Sequence, residues 1–228
     1  KNMKSERLKT DLITNVSHDI KTPLTSIINY VNLLKQEKFD DPKIQRYIEV
    51  LEEKSQRLKT LTEDVVEASK ASTGNITLEM TELNFVELIN QVIGEFEEKF
   101  EERNLQMVVH FDEEEAIICA DGRRLWRVLE NVFGNVSKYA MENTRVYVDM
   151  NVNRPNVRLS LKNISAQPLN ITADELTERF IRGDVSRNTE GSGLGLSIAK
   201  DLVQLQGGTF NLYLDGDLFK VTIEFKMK

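Results

Sequence analysis

Leu12, Val16, Ile20, Pro23, Ile27, Val31 and Leu34 recur at spacings of four, four, three, four, four and three residues. This heptad-like seam predicts a long helix with one apolar side. Glu37-Lys38-Phe39-Asp40-Asp41-Pro42 interrupts it, with Asp41 placed as an N-cap and Pro42 at the first helical position. Ile44, Ile48, Leu51, Ser55, Leu58, Thr62 and Val65 then resume the same period. Residues 1–72 therefore read as two helices forming a hairpin. Their stripe is too wide to leave in water, so pairing with a second copy into a four-helix bundle is expected. Ala71-Ser72-Thr73-Gly74-Asn75 ends the second helix as a linker.

From residue 76 to residue 228 the period changes. Val146, Val148, Met150 and Val152 alternate, as do Val157, Leu159 and Leu161 beyond the turn Asn153-Arg154-Pro155-Asn156. Phe219, Val221, Ile223 and Phe225 alternate after the hairpin turn Asp215-Gly216-Asp217. Helical segments are expected at about 83–103, 121–141 and 194–206. The whole is an α+β chain: a helical hairpin, then an α/β sandwich with helices on one face of its sheet.

A net charge of −7 over 228 residues argues against a nucleic-acid surface. The lone cysteine, Cys119, sits in the apolar run Ala116–Ala120 and reads as a small buried residue in a reducing compartment. No window approaches the roughly 18 apolar residues of a membrane helix. The chain opens in mid-pattern, as a fragment would whose preceding part is membrane-bound.

Three groups of residues could carry chemistry. Of the two histidines, His110 lies on the polar face of an alternating strand and reads as structural. His18 lies midway along the first helix, off the seam, with Thr22 four residues on and Pro23 placed to kink the helix beyond it. Imidazole suits nucleophilic attack or proton transfer near neutral pH. Within 121–141, Asp121 is an N-cap and Leu125, Val128, Leu129, Val132 and Val136 form a buried face. Beside that face run Arg124, Arg127, Asn131, Asn135 and Lys138, a stripe of amides and cations that suits phosphate and Mg²⁺. The stretch Gly191-Ser192-Gly193-Leu194-Gly195-Leu196 feeds a helix N-terminus, a natural anion cradle. It lacks the lysine of a Walker loop and the preceding strand of a dinucleotide fingerprint.

In this order the motifs resemble those of sensor histidine kinases. His18-Asp19-Ile20-Lys21-Thr22-Pro23-Leu24 is similar to their phosphoacceptor box and Asn131-Val132-Phe133-Gly134-Asn135-Val136-Ser137-Lys138-Tyr139 to their N box. Phe180-Ile181-Arg182-Gly183-Asp184 is similar to their F box, and the 191–196 stretch to their second glycine box. The resemblance covers nearly the whole chain. It implies a dimerisation and phosphotransfer hairpin, and an ATP-binding domain of the histidine kinase and gyrase type.

The same resemblance implies that His18 attacks the γ-phosphate of ATP, with Asp19 orienting the imidazole. Thr22 would position water when a partner is dephosphorylated. Asn135 would ligate Mg²⁺, Asn131 and Lys138 would lie near the phosphates, and Tyr139 near the nucleotide. Arg182 would reach in from a lid that closes with Gly191, Gly193, Leu194, Gly195 and Leu196. The partners implied are a second copy of the chain and the receiver domain of a response regulator. The location implied is the cytoplasmic side of a bacterial inner-membrane sensor.

One motif departs from the family. Where its first glycine box has an adenine-binding aspartate and two glycines, this chain has Asn163, Ser165 and Gln167. A neutral hydrogen bond contributes about 0.5–1.5 kcal/mol against about 1.5–3 for a charged one, so nucleotide affinity is expected to fall on the order of tenfold. The alternative is a chain that no longer binds ATP and acts as a phosphatase or regulator-docking module. A gyrase-like hydrolase is disfavoured, because the water-activating glutamate of those relatives falls on Asn131.

Overall fold

The computed structural model describes residues 2–37, 39–72, 74, 76–169, 172–177 and 193–228, without the side chains of 2–16, 18 and 72. It divides into a helical unit ending at Asn75 and an α/β unit that begins at Ile76.

The helical unit is a hairpin of α1 (Asn2–Gln36) and α2 (Pro42–Ser72). Asp41 caps α2 as expected: its Oδ1 accepts from the Lys43 amide at 2.8 Å. The apolar stripe divides its work. Leu24 and Val31 of α1 and Ile48 of α2 are buried. By contrast Ile20, Ile27, Leu34, Ile44, Leu51 and Leu58 remain between 38% and 48% exposed. A heptad seam offers two adjoining lines of side chains, and a single hairpin covers only one of them. Among the described residues, no helix is long and apolar enough to cross a membrane.

The α/β unit opens with β1 (Thr81–Asn84), α3 (Phe85–Glu101), β2 (Gln106–Phe111), β3 (Ile117–Ala120) and α4 (Gly122–Tyr139). It continues with β4 (Arg145–Asn153), β5 (Asn156–Ile164), α5 (Ala173–Thr177), α6 (Gly195–Leu205), β6 (Thr209–Asp215) and β7 (Leu218–Lys226). The main sheet has the order β2-β4-β5-β7-β6, while β1 and β3 pair separately. Only β2 and β4 run parallel; the other pairs in this sheet are antiparallel.

Alternation decides which face is inside. Val146, Val148, Met150, Val157, Leu159, Leu161, Val221, Ile223 and Phe225 are buried. The apolar stripes of α3, α4 and α6 are buried with them. Phe96, Phe100 and Phe133 join α3 to α4, with ring centroids 5.7–6.3 Å apart. The opposite face carries ion pairs such as Arg158–Glu224 at 2.6 Å and Lys162–Asp149 at 2.7 Å.

Two readings are corrected. Helix α3 begins at Phe85 rather than 83, because Asn84 ends β1 and its Oδ1 accepts the Val86 amide at 3.1 Å. Cys119 is exposed, not buried. In β3 it alternates with buried Ile118 and Ala120, so its side chain falls on the outer face, opposite Glu82 of β1.

Candidate functional site

Helix α4 starts at a buried carboxylate that several chain segments share. Asp121 Oδ1 accepts from the Arg124 amide at 3.0 Å, and Oδ2 from the Glu79 amide at 2.9 Å. The Asp121 amide donates to Gln206 Oε1 at 2.8 Å, and Gln206 Nε2 donates to the Leu202 carbonyl. Burial opposes ionisation of the Asp121 carboxyl. The two backbone amides, with the Arg124 and Arg123 guanidiniums, outweigh it and hold the group below the usual aspartate range. The sequence marked Asp121 as an N-cap only. Its tie to Gln206, 85 residues away, has no local signal.

At the other end, Arg103 donates to the carbonyls of Ser137 and Ala140, closing the last turn of α4. With both ends held, the polar stripe keeps a fixed direction. Asn131 and Asn135 are half-buried, Tyr139 likewise, and Lys138 is exposed. Asn131 Nδ2 is a buried donor with no hydrogen-bond partner among the described residues.

Helix α6 brings its N-terminus to this stripe. Gly193 has φ +72°, a left-handed conformation that suits glycine. A Cβ placed on Gly195 would lie 3.4 Å from Asn131 Oδ1. The N-cap residue Leu194 supplies no side-chain acceptor for the first-turn amides, while Leu194 and Leu196 are themselves buried. An anion is the partner such amides suit best. At its far end α6 is tied to α4 again, through Gln206 and Asp121.

The exit of β5 meets the other end of the stripe. The Met141 amide donates to the Ile164 carbonyl at 2.8 Å, the Ala166 amide donates to the Tyr139 carbonyl at 2.8 Å, and Ala140 bridges Ser165. Asn163 follows Val157, Leu159 and Leu161 on the helix-covered face and is 3% exposed. Its Nδ2 donates to the Ile164 carbonyl at 3.0 Å, whereas Oδ1 is a buried acceptor with no partner among the described residues. Ser165, at the first lost glycine, is buried and its Oγ accepts the Gln167 amide at 3.3 Å. From Asn131 to Tyr139 the helix rises about 12 Å. One surface of α4 is thus bounded by an anion-suited helix end and by an unmet buried acceptor.

In the helical unit, Pro23 lies inside α1 and Thr22 and Asp19 are exposed. The Thr22 carbonyl accepts from Ser26 Oγ at 3.3 Å, and the Lys21 carbonyl from Thr25 Oγ1 at 2.8 Å. These hydroxyls occupy carbonyls around the proline, which itself brings no amide to the helix. The His18 side chain, Arg182 and Gly191 lie outside the described residues. Among the described residues, no cluster of three or more His, Cys, Asp or Glu side chains could hold a metal alone.

Residues 8–74 match the His Kinase A (phospho-acceptor) domain, and residues 120–228 match the histidine kinase-, DNA gyrase B-, and HSP90-like ATPase family. The chain is 32% identical over 208 residues to the sensor protein VanS of Enterococcus faecium, covering 90% of this chain and 53% of that protein. It spans about half the length of the curated relatives it matches first. Among solved structures it resembles full-length ShkA in complex with AMPPNP, with a TM-score of 0.81, 23% identity, and coverage of 95% of this chain and 46% of that one. It also resembles the histidine kinase ThkA in complex with the response regulator TrrA, with a TM-score of 0.64, 26% identity, and coverage of 98% and 64%. With a phospho-acceptor region followed by this ATPase fold, the chain belongs to the sensor histidine kinases.

Proposed function

We propose that the chain is a protein-histidine kinase that phosphorylates His18 from ATP and passes the phosphoryl group to an aspartate of a response regulator receiver domain. The observation that carries this reading is the union, in one chain, of a phospho-acceptor region and an ATPase region. Residues 1–72 form the dimerisation and phosphotransfer hairpin, and residues 76–228 the catalytic ATP-binding domain. The exposed line of Ile20, Ile27, Leu34, Ile44, Leu51 and Leu58 supports pairing with a second copy. That ThkA is seen with a response regulator supports the choice of partner.

In the proposed site Asn163 takes the base, Tyr139 lies beside the nucleotide, and Asn131, Lys138 and Arg182 neutralise and orient the phosphates. Gly191, Gly193, Leu194, Gly195 and Leu196 form the loop that closes on them through backbone amides. A single amide oxygen, that of Asn135, fits Mg²⁺, which keeps several waters and otherwise binds substrate phosphates. When bound, that ion neutralises charge on the triphosphate.

An imidazole nitrogen of His18 forms the N–P bond as the bond from the γ-phosphorus to its bridging oxygen breaks, leaving ADP. Asp19 accepts the imidazole proton or orients the ring. Thr22 positions water for the reverse service, dephosphorylation of the regulator. The unmet Oδ1 of Asn163 favours this reading over a chain that has lost ATP binding.

Incubation with γ-labelled ATP tests it. Acid-labile label is expected on the wild-type chain and not on His18→Gln. A wild-type chain left unlabelled at millimolar ATP, or label that survives His18→Gln, overturns the reading.

A further inference from the structure

We propose that Arg103 is a positioning residue of the nucleotide site. Its guanidinium holds the last turn of α4 by two carbonyl oxygens and so fixes where Lys138 and Tyr139 stand. This rests on the nucleotide site proposed above.

The last carbonyls of a helix have no following turn to supply their donors. At the end of α4 the Val136 carbonyl still has the Ala140 amide, at 2.9 Å, and the Tyr139 carbonyl takes the Ala166 amide, at 2.8 Å. The carbonyls of Ser137 and Ala140 accept instead from Arg103, the first from Nη1 and the second from Nη2 at 2.9 Å. Arg103 Nε donates to Glu142 Oε1 at 3.3 Å. Lys138 and Tyr139 thus lie between two carbonyls that one planar group holds.

The base of that side chain is itself fixed. Arg103 stands in the turn from α3 to β2, between Phe100 and Leu105, which are 1% and 4% exposed. The Leu105 amide donates to the Phe100 carbonyl at 2.8 Å, and the Gln106 amide to the Thr144 carbonyl at 2.9 Å. The Asn143 amide donates to the Arg103 carbonyl at 3.4 Å. Asn104 and Asn143 bend the two turns through the left-handed region, at φ +50° and +60°, which asparagine adopts more readily than most residues. The α3–β2 and α4–β4 turns are therefore laced together around the guanidinium.

Arginine suits this place for two reasons. Its donors form a rigid fork that can serve two oxygens at once. Its charge also suits a helix C-terminus, where the aligned peptide dipoles leave partial negative charge. Lysine would supply the charge without the fork. Water reaches the site, since the Arg103 side chain is 24% exposed, but a water on either oxygen does not tie the two together. Loss of the guanidinium is expected to loosen the last turn of α4. Asn135 and Asn131, one and two turns upstream, keep their places.

Equilibrium titration of the whole chain with Mg·ADP tests this, each variant being measured well below its melting point. Arg103→Ala is expected to bind about tenfold more weakly than wild type, and Arg103→Lys to fall between the two. Guanidinium chloride at about 50 mM is far below denaturing concentrations. It is expected to tighten binding by Arg103→Ala at least about threefold over equimolar sodium chloride, and to leave the wild type unchanged. Gly208→Ala, destabilised by overpacking against Phe225, is expected to keep wild-type affinity. If Arg103→Ala does not fold, Arg103→Gln takes its place in every comparison. Binding by the variant as tight as wild type overturns the proposal. So does a loss that neither guanidinium nor lysine repairs, or one that Gly208→Ala reproduces, because the loss is then one of general stability. If the wild type does not bind Mg·ADP, the nucleotide site itself is wrong.

Discussion

Gly195, in the first turn of α6, lies against Asn131 of α4: a Cβ on the glycine would meet Asn131 Oδ1 at 3.4 Å. That separation is contact and not collision, so the glycine is not demanded by packing alone. A missing side chain keeps the approach to the α6 amides open beside the Asn131 amide. Gly195→Leu is therefore expected to lower affinity for Mg·ADP by about tenfold or more while leaving the melting temperature nearly unchanged. Calorimetric titration beside a thermal melt checks both halves of the expectation.

Asp121 should make stability depend on acid. Its folded carboxyl titrates below the ordinary aspartate value, so the group stabilises the fold fully above its unfolded pKa of about 3.9. That contribution fades as pH falls through the folded value. Asp121→Asn is thus expected to melt well below wild type at pH 6, with the gap closing as pH drops beneath about 4. A gap that stays constant down to pH 2 would show that the carboxylate's charge is irrelevant.

Gly208 tolerates no side chain where it stands. A Cβ there would lie 2.6 Å and 2.8 Å from the Phe225 ring and 2.9 Å from Val203 Cγ1. Gly208→Ala is expected to destabilise the α/β unit by about 1–3 kcal/mol, the usual cost of overpacking. Chemical denaturation measures the loss, and Mg·ADP affinity well below the melting point is expected to stay as it is.

The open apolar line of the hairpin gives a prediction about assembly. Ile27 and Leu51 are each 48% exposed within one chain. The pair Ile27→Glu and Leu51→Glu places two charges where a second copy is proposed to pack. Sedimentation velocity is expected to shift from dimer to monomer, with nucleotide binding by the α/β unit unchanged. A variant that sediments as wild type does would remove this face from the dimer contact.

The Lys35–Glu52 ion pair, at 2.6 Å, joins α1 to α2 but is open to solvent on both sides. Exposed pairs of this kind contribute about 0–1 kcal/mol. Glu52→Ala is expected to change stability by less than about 0.5 kcal/mol in a denaturant titration.

Much of this molecule is determined locally. The helical hairpin follows from apolar residues at heptad spacing and from the Asp41-Pro42 start, both of which act over a few residues. The strands β4, β5 and β7 follow from alternation, and the α4 stripe from helical spacing; none of these needs a distant partner. Tertiary structure decided the rest, because the groups concerned meet only when the chain has folded. Cys119 is exposed because β3 presents Ile118 and Ala120 inward, although its apolar neighbours suggested burial. The seam divides because one hairpin has only one inside. Asn163 is a neutral residue in an aspartate's place by sequence. What its amide can do is decided by the Ile164 carbonyl and by the α4 end that holds that carbonyl still. A hydrogen bond needs both partners in place, and here the second was supplied by the fold.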